Sequence, residues 1–147
     1  MSSRRRVGTH FVIEEFDCKC GTRVPREHER AILLLTASWL DWLRQEFGAV
    51  TVLSGYRTPA YNREIGGATR SVHMLRTKLP NHRGQPMVAA AADVRCARGT
   101  PNQWARWARA HRERRGSLQN HGRGGIGTYQ RAGFVHLDTA GHRDWSL

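Results

Sequence analysis

Residues 71–96 read SVHMLRTKLPNHRGQPMVAAAADVRC, and the reading of the whole chain turns on this stretch. Its last part, Met87 to Cys96, is rich in small and β-branched residues and reads as a strand lying flat against a helix. Asp93 stands among its alanines. A carboxylate there is costly to bury unless it is paired or bound to a metal. Two readings therefore stand: a salt bridge to an arginine such as Arg95 or Arg57, or a metal ligand. His73 stands near the start of the stretch. Between them the polar run RTKLPNHRGQPMV, with Pro80 and Gly84, reads as an inserted loop.

Upstream, Pro25 to Phe47 reads as an amphipathic helix, with proline at its start, acidic residues in its first turn and Gly48 as its stop. Ile32, Leu35, Trp39, Trp42 and Leu43 recur at helical spacing, which predicts both tryptophans in the core. Ala49 to Gly55 reads as a short β-branched strand. The segment from Thr58 has a capping threonine, proline next and a closing Gly66-Gly67, and reads as a short helix. Downstream, Thr100 to Gly116 repeats the Thr-Pro start and Gly stop of a helix. HGRGGIGTYQ and GFVHLDT read as two antiparallel strands joined by a turn around Arg131 and Ala132. The late strands follow one another too closely for crossover helices. The expected class is α+β, a small antiparallel sheet packed against helices. The 147 residues suit one domain, 1–147, with residues 1–10 as a flexible basic tail.

The formal charge is +12, and of the 24 basic residues only Lys19 and Lys78 are not arginine. Such a field favours anionic surroundings, whether nucleic acid, lipid or envelope polymers. No helix-turn-helix, zinc-finger or aromatic RNA-binding signature accompanies the arginines, so specific nucleic-acid binding is not expected. Neither a signal peptide nor an apolar run of about 20 residues is evident. Synthesis in the cytoplasm is expected, with another exit route for any action outside it. Three cysteines make no disulfide framework. Cys18 and Cys20, in CKCG, are too close in sequence to bridge comfortably. Structural roles are preferred for them over half of a zinc site.

Strand alternation puts Phe134, His136 and Asp138 on one face and Val135 and Leu137 on the other. A His, Asp, His set that leaves one position open is what a hydrolytic zinc site requires. Spacing alone does not bring His73, Asp93 and His136 together.

SGYRTPAYN (54–62), SVH (71–73), AADVR (91–95), GIGTY (125–129) and GFVHLDT (133–139), followed by Trp145, occur in one order, after the opening FVIEEFDCKCG (11–21). Together they resemble the zinc D-Ala-D-Ala carboxypeptidase family, which includes L-Ala-D-Glu endopeptidases of phages and shares its fold with the hedgehog signalling domain. The resemblance runs from about Phe11 to Trp145. It implies a Zn2+ site with His73, Asp93 and His136 as ligands. It implies further that Arg57 lies near the substrate, binding a carboxylate or the developing oxyanion, a structural tie to a nearby loop being its competing role. Ser71 is expected to shape the loop or bond a ligand and, with Tyr56, to border the substrate, packing being the competing role for Tyr56.

Two departures from the family pattern matter. In S-x-H-x-x-G-x-A-x-D six residues separate histidine from aspartate, whereas nineteen lie between His73 and Asp93. The insert also carries His82, which competes with His73 as ligand. Secondly, no carboxylate shortly precedes His136, so Asp138 is the expected general base. The competing reading makes Asp138 a ligand-orienting residue, with His121 or another group moving the proton. The resemblance implies a peptidase acting on peptidoglycan stem peptides, of the endolysin or cell-wall-remodelling kind, and a monomer is expected. A non-catalytic wall-binding module of the same fold is the alternative.

Overall fold

Side-chain alternation makes the strands, and their order makes the site. The computed structural model describes residues 5–75, 78–80, 86–114, 124–141 and 143–147. Its strands are β1 (Val50–Ser54), β2 (Lys78–Pro80), β3 (Pro86–Val88), β4 (Ala91–Cys96), β5 (Gly125–Tyr129), β6 (Phe134–Asp138) and β7 (Arg143–Ser146). Its α-helices are α1 (Glu29–Leu35), α2 (Asp41–Phe47), α3 (Pro59–Glu64) and α4 (Pro101–Arg114). Five strands form one sheet in the order β1-β4-β6-β5-β7. The fold is α+β, as the sequence predicts. One strand departs from the expected antiparallel arrangement, because β7 pairs parallel to β5. The chain reverses after β6 and returns along the far edge of β5. Both strands then oppose β6, so they run parallel to each other.

One face of the sheet is apolar. Ala92, Val94, Ile126, Val135 and Leu137 pack with Ile32, Leu35, Trp39, Leu40 and Leu43 and with Trp104, Ala105 and Ala108 of α4. The alanine run serves both faces, since Ala90 and Ala92 join this core while Ala89 and Ala91 join Val72 and Ala140 in a smaller cluster. Small side chains keep β4 thin, so packing on one face leaves room for chemistry on the other.

α1 and α2 are joined by a π-helical turn, Thr36–Leu40, in which the Asp41 amide donates to the Thr36 carbonyl. A wider turn shifts the residues after it out of helical phase. Trp39 is fully buried, but Trp42 is 46% exposed, contrary to the expected core pair. Gly48, at φ 82°, ends α2 as predicted.

The described parts of the inserted segment, 78–80 and 86–88, are strands rather than loop. β2 and β3 form a separate antiparallel ribbon, pairing Lys78 with Val88, Leu79 with Met87 and Pro80 with Pro86. The strand expected from Met87 is thus divided, its first part serving the ribbon and Ala91 onward the main sheet. In the stretch read as a basic tail, Val7 is buried and its amide donates to the Phe11 carbonyl, while Arg5 pairs with Glu29 at 2.6 Å. Among the described residues no helix is long and apolar enough to cross a membrane.

Candidate metal centre

The sheet register builds half of the site. Asp93 of β4 lies directly opposite His136 of β6, and that row continues to Ser54 on one side and to Gly127 and Trp145 on the other. Directly opposed residues share a face, so Asp93 and His136 meet without any loop to position them. His136 Nδ1 lies 2.9 Å from Asp93 Oδ1.

His73 arrives by another route. Ser71 caps a 3-10 turn, Val72–Met74, its hydroxyl accepting from the His73 amide at 3.2 Å. Leu75 closes the turn in the left-handed conformation, at φ 57°. The buried imidazole then places Nε2 3.2 Å from Asp93 Oδ1. The insertion therefore leaves His73 beside Asp93. His82 and His121, the residues weighed as a replacement ligand and an alternative base, lie outside the described residues.

The partners of the outer ring nitrogens fix the tautomers. His73 Nδ1 is 2.7 Å from the Gly55 carbonyl, which can only accept, so Nδ1 carries the proton. His136 Nε2 is 2.8 Å from Asp138 Oδ2 and donates to that carboxylate. In their neutral forms both histidines then turn a lone pair toward Asp93 Oδ1. The three ligand atoms lie within 4.8 Å of one another, and all three residues are buried. Three acceptors facing one point repel unless a cation sits among them. Two imidazoles and a carboxylate with outer partners match a zinc donor set.

Without the metal, a proton does part of that work. Burial opposes charge on His136, but the bonds to Asp138 and then Asp93 outweigh it and raise its pKa from 6.5 to about 9. His73, whose outer partner is a neutral carbonyl, is shifted downward by burial despite Asp93. Burial would raise the Asp93 carboxyl, yet hydrogen bonds from His136 and His73 hold it well below the usual carboxylate range.

Arg57 secures the other oxygen of Asp93, with Nη2 donating to Oδ2 at 3.3 Å. Its Nε donates to Ser54 Oγ and its Nη1 to Asn62 Oδ1, so three contacts hold the guanidinium flat. The salt bridge to Arg57 is thus present on one oxygen of Asp93, while the other oxygen meets the two histidines. Thr58 caps α3 as predicted, accepting from the Tyr61 amide at 3.1 Å, and so fixes the loop that carries Arg57.

Asp138 is not placed as a general base. It is 1% exposed, Oδ1 accepts from the Gly125 and Ala140 amides, and Oδ2 is taken by His136 Nε2, the nitrogen facing away from Asp93. It orients His136, which is the competing reading. Gly125 makes room for this, since a Cβ there would lie 2.6 Å from Asp138 Oδ2. Tyr56 is not brought to the cleft either; its side chain packs against the core and its amide donates to the Phe16 carbonyl. Ser71 does border the cleft.

That cleft, of about 390 Å³, opens over the three residues. Arg57, Arg70 and Ser71 line it on the loop side, and Tyr129, Phe134, Arg143 and Trp145 line it on the strand side. Trp145 Nε1 donates to the Tyr129 hydroxyl at 2.8 Å, its ring lies 5.0 Å from that of His136, and Arg143 sits 4.7 Å over it. A Cβ on Gly127 would meet the indole at 2.5 Å. Sequence reasoning missed Arg70, Tyr129, Arg143 and Trp145 as cleft residues. The available signal was GIG, two glycines on one face of a strand, which marks a surface that something else covers.

The model of the peptidase M15 family matches residues 9–138, a span that holds His73, Asp93, His136, Arg57 and Asp138. The chain belongs to this family of zinc peptidases of the D-Ala-D-Ala carboxypeptidase type. No curated protein and no solved structure matched the chain.

Proposed function

We propose that the protein hydrolyses a peptide bond in the stem peptides of peptidoglycan, as an endolysin or a cell-wall-remodelling enzyme. The observation that carries this reading is the convergence of His73 Nε2, His136 Nδ1 and Asp93 Oδ1 on one point beneath an open, arginine-lined cleft. These three residues would hold Zn2+. When bound, zinc polarises the scissile carbonyl and makes a water molecule more acidic.

The chain's own residues do the rest. Asp138 and the Gly55 carbonyl lock the two imidazoles in ligating tautomers, and Arg57 keeps Asp93 aimed. The cationic walls formed by Arg57, Arg70 and Arg143 suit a substrate carrying carboxylates, as stem peptides do. The net charge of +12 draws the protein to anionic envelope polymers, with an attraction that weakens as salt rises.

The test is digestion of purified peptidoglycan with mass spectrometry of the products. New stem-peptide termini that vanish with chelator and return with zinc support the reading, and the fragment masses identify the bond. Unchanged peptidoglycan under zinc-replete conditions contradicts it. One observation favours a second reading, a non-catalytic wall-binding module: among the described residues lining the cleft, Asp93 is the only carboxylate. Co-sedimentation with intact peptidoglycan, without new termini, would select that module.

A further inference from the structure

The CKCG turn plays no part in the metal centre, yet its two thiols are placed for chemistry. The Gly21 amide donates to the Cys18 carbonyl at 2.8 Å and the Cys18 amide to the Thr22 carbonyl at 2.9 Å, folding the chain back on itself. Both side chains then project to one side, with Cys20 Sγ 3.0 Å from Cys18 Sγ, so the turn overcomes the short sequence separation. Cys18 is buried and Cys20 exposed, so an incoming reagent meets Cys20 first. Cys20 Sγ also lies 3.4 Å from the Thr22 hydroxyl and 3.8 Å from that of Thr58. Thr58 is the residue next to Arg57 and the cap of α3.

We propose that Cys18 and Cys20 are a redox-active dithiol, which low-molecular-weight disulfides oxidise to an internal disulfide, and that its state is felt by the loop carrying Arg57. In the first step the Cys20 thiolate attacks one sulfur of glutathione disulfide and forms a mixed disulfide. One glutathione leaves as thiolate and takes up a proton. The Cys18 thiol then gives up its proton and attacks the Cys20 sulfur, displacing the second glutathione. Two protein thiols are oxidised and one disulfide is reduced to two thiols.

The roles of the two cysteines follow from exposure and acidity. Contacts with the Thr22 hydroxyl first, and then with Cys18, lower the Cys20 thiol to about 7, whereas burial pushes the remote Cys96 up to about 12. Cys20 is therefore the attacking thiol and Cys96 a bystander. A disulfide closing so small a ring is strained and so easily reduced, which suits a reversible pair rather than a permanent staple. Bonding to Cys18 shifts the Cys20 sulfur that lies 3.8 Å from the Thr58 hydroxyl, and that hydroxyl accepts from the Tyr61 amide.

The experiment incubates the metal-free, full-length protein with reduced or oxidised glutathione. It then counts thiols after denaturation, records intact mass and follows amide exchange of residues 55–61. Oxidation should lower the count from three thiols to one, remove two hydrogens in mass, and speed exchange of the Tyr61 amide several-fold. Cys96→Ser should go from two thiols to none, and Cys18→Ser should stop with glutathione attached to Cys20. Three surviving thiols in the wild type, stable glutathione adducts or disulfide-linked dimers would overturn the pair. Internal pairing with unchanged exchange at residues 55–61 would overturn its link to the Arg57 loop. None of these readouts depends on peptidase activity.

Discussion

His73 and His136 reach the same oxygen of Asp93, but by different means. His136 is delivered by strand register and gripped from behind by the Asp138 carboxylate. His73 is delivered by a capped 3-10 turn and gripped by the neutral Gly55 carbonyl. The outer partner decides the charge. Beside two carboxylates His136 holds its proton up to about pH 9, while buried His73 gives up its proton more easily than usual. The sheet-borne half of the site thus keeps a proton in place even without metal, and the loop-borne half is driven toward its neutral form.

The harshest way to break the comparison is to remove what the two halves share. Asp93→Ala leaves both imidazoles without their common partner and removes one of the three contacts of Arg57, and hydrolysis should fall to background in a peptidoglycan-digestion assay. Asp138→Asn attacks one half only. The new amide can keep the Gly125 and Ala140 contacts through its oxygen but offers N–H to His136 Nε2, which drives the ring proton onto Nδ1. Zinc affinity should drop about 10- to 100-fold, as for other residues that orient a ligand, measurable by competition with a chromogenic chelator.

Gly127→Val tests the cleft wall rather than the ligands. The added side chain overlaps the Trp145 indole, costing about 1–3 kcal/mol in stability. Thermal unfolding should report that loss, and KM should rise while zinc stoichiometry holds. The subtlest effect is on pH dependence. The folded pKa of His136, about 9, lies above its ordinary 6.5, so the proton stabilises the metal-free fold fully below about 6.5 and is lost as pH rises toward 9. The melting temperature of the metal-free protein should fall across that window, and His136→Gln should flatten the fall.

Much of this was legible in the sequence, and what was not has physical causes. The small-residue strand with its single carboxylate, the FVHLD alternation and the two Thr-Pro helix starts were all readable because each is a local pattern. The π turn that exposes Trp42 was not, since nothing in TASWLDW distinguishes a wider turn from an α-helical one. The role of Asp138 was readable only as a pair of alternatives. Same-face alternation puts it beside His136 but does not say which ring nitrogen it meets. Arg143 and Trp145 join the cleft through the parallel pairing of β7 with β5, a long-range choice that leaves only the glycines of GIG as its trace. The approach of the Cys18 and Cys20 sulfurs to 3.0 Å depends on the turn at Cys18–Gly21, which two cysteines one residue apart do not announce.

The most direct test of the central claim is the zinc content of the purified protein after loading and desalting, compared among the wild type, His73→Ala and His136→Ala. One zinc per wild-type chain is expected, with loss of tight binding in both variants and the circular dichroism of each fold preserved. Retention of a full equivalent in either variant would show that the metal is held elsewhere, and the site assigned to His73, Asp93 and His136 would be wrong.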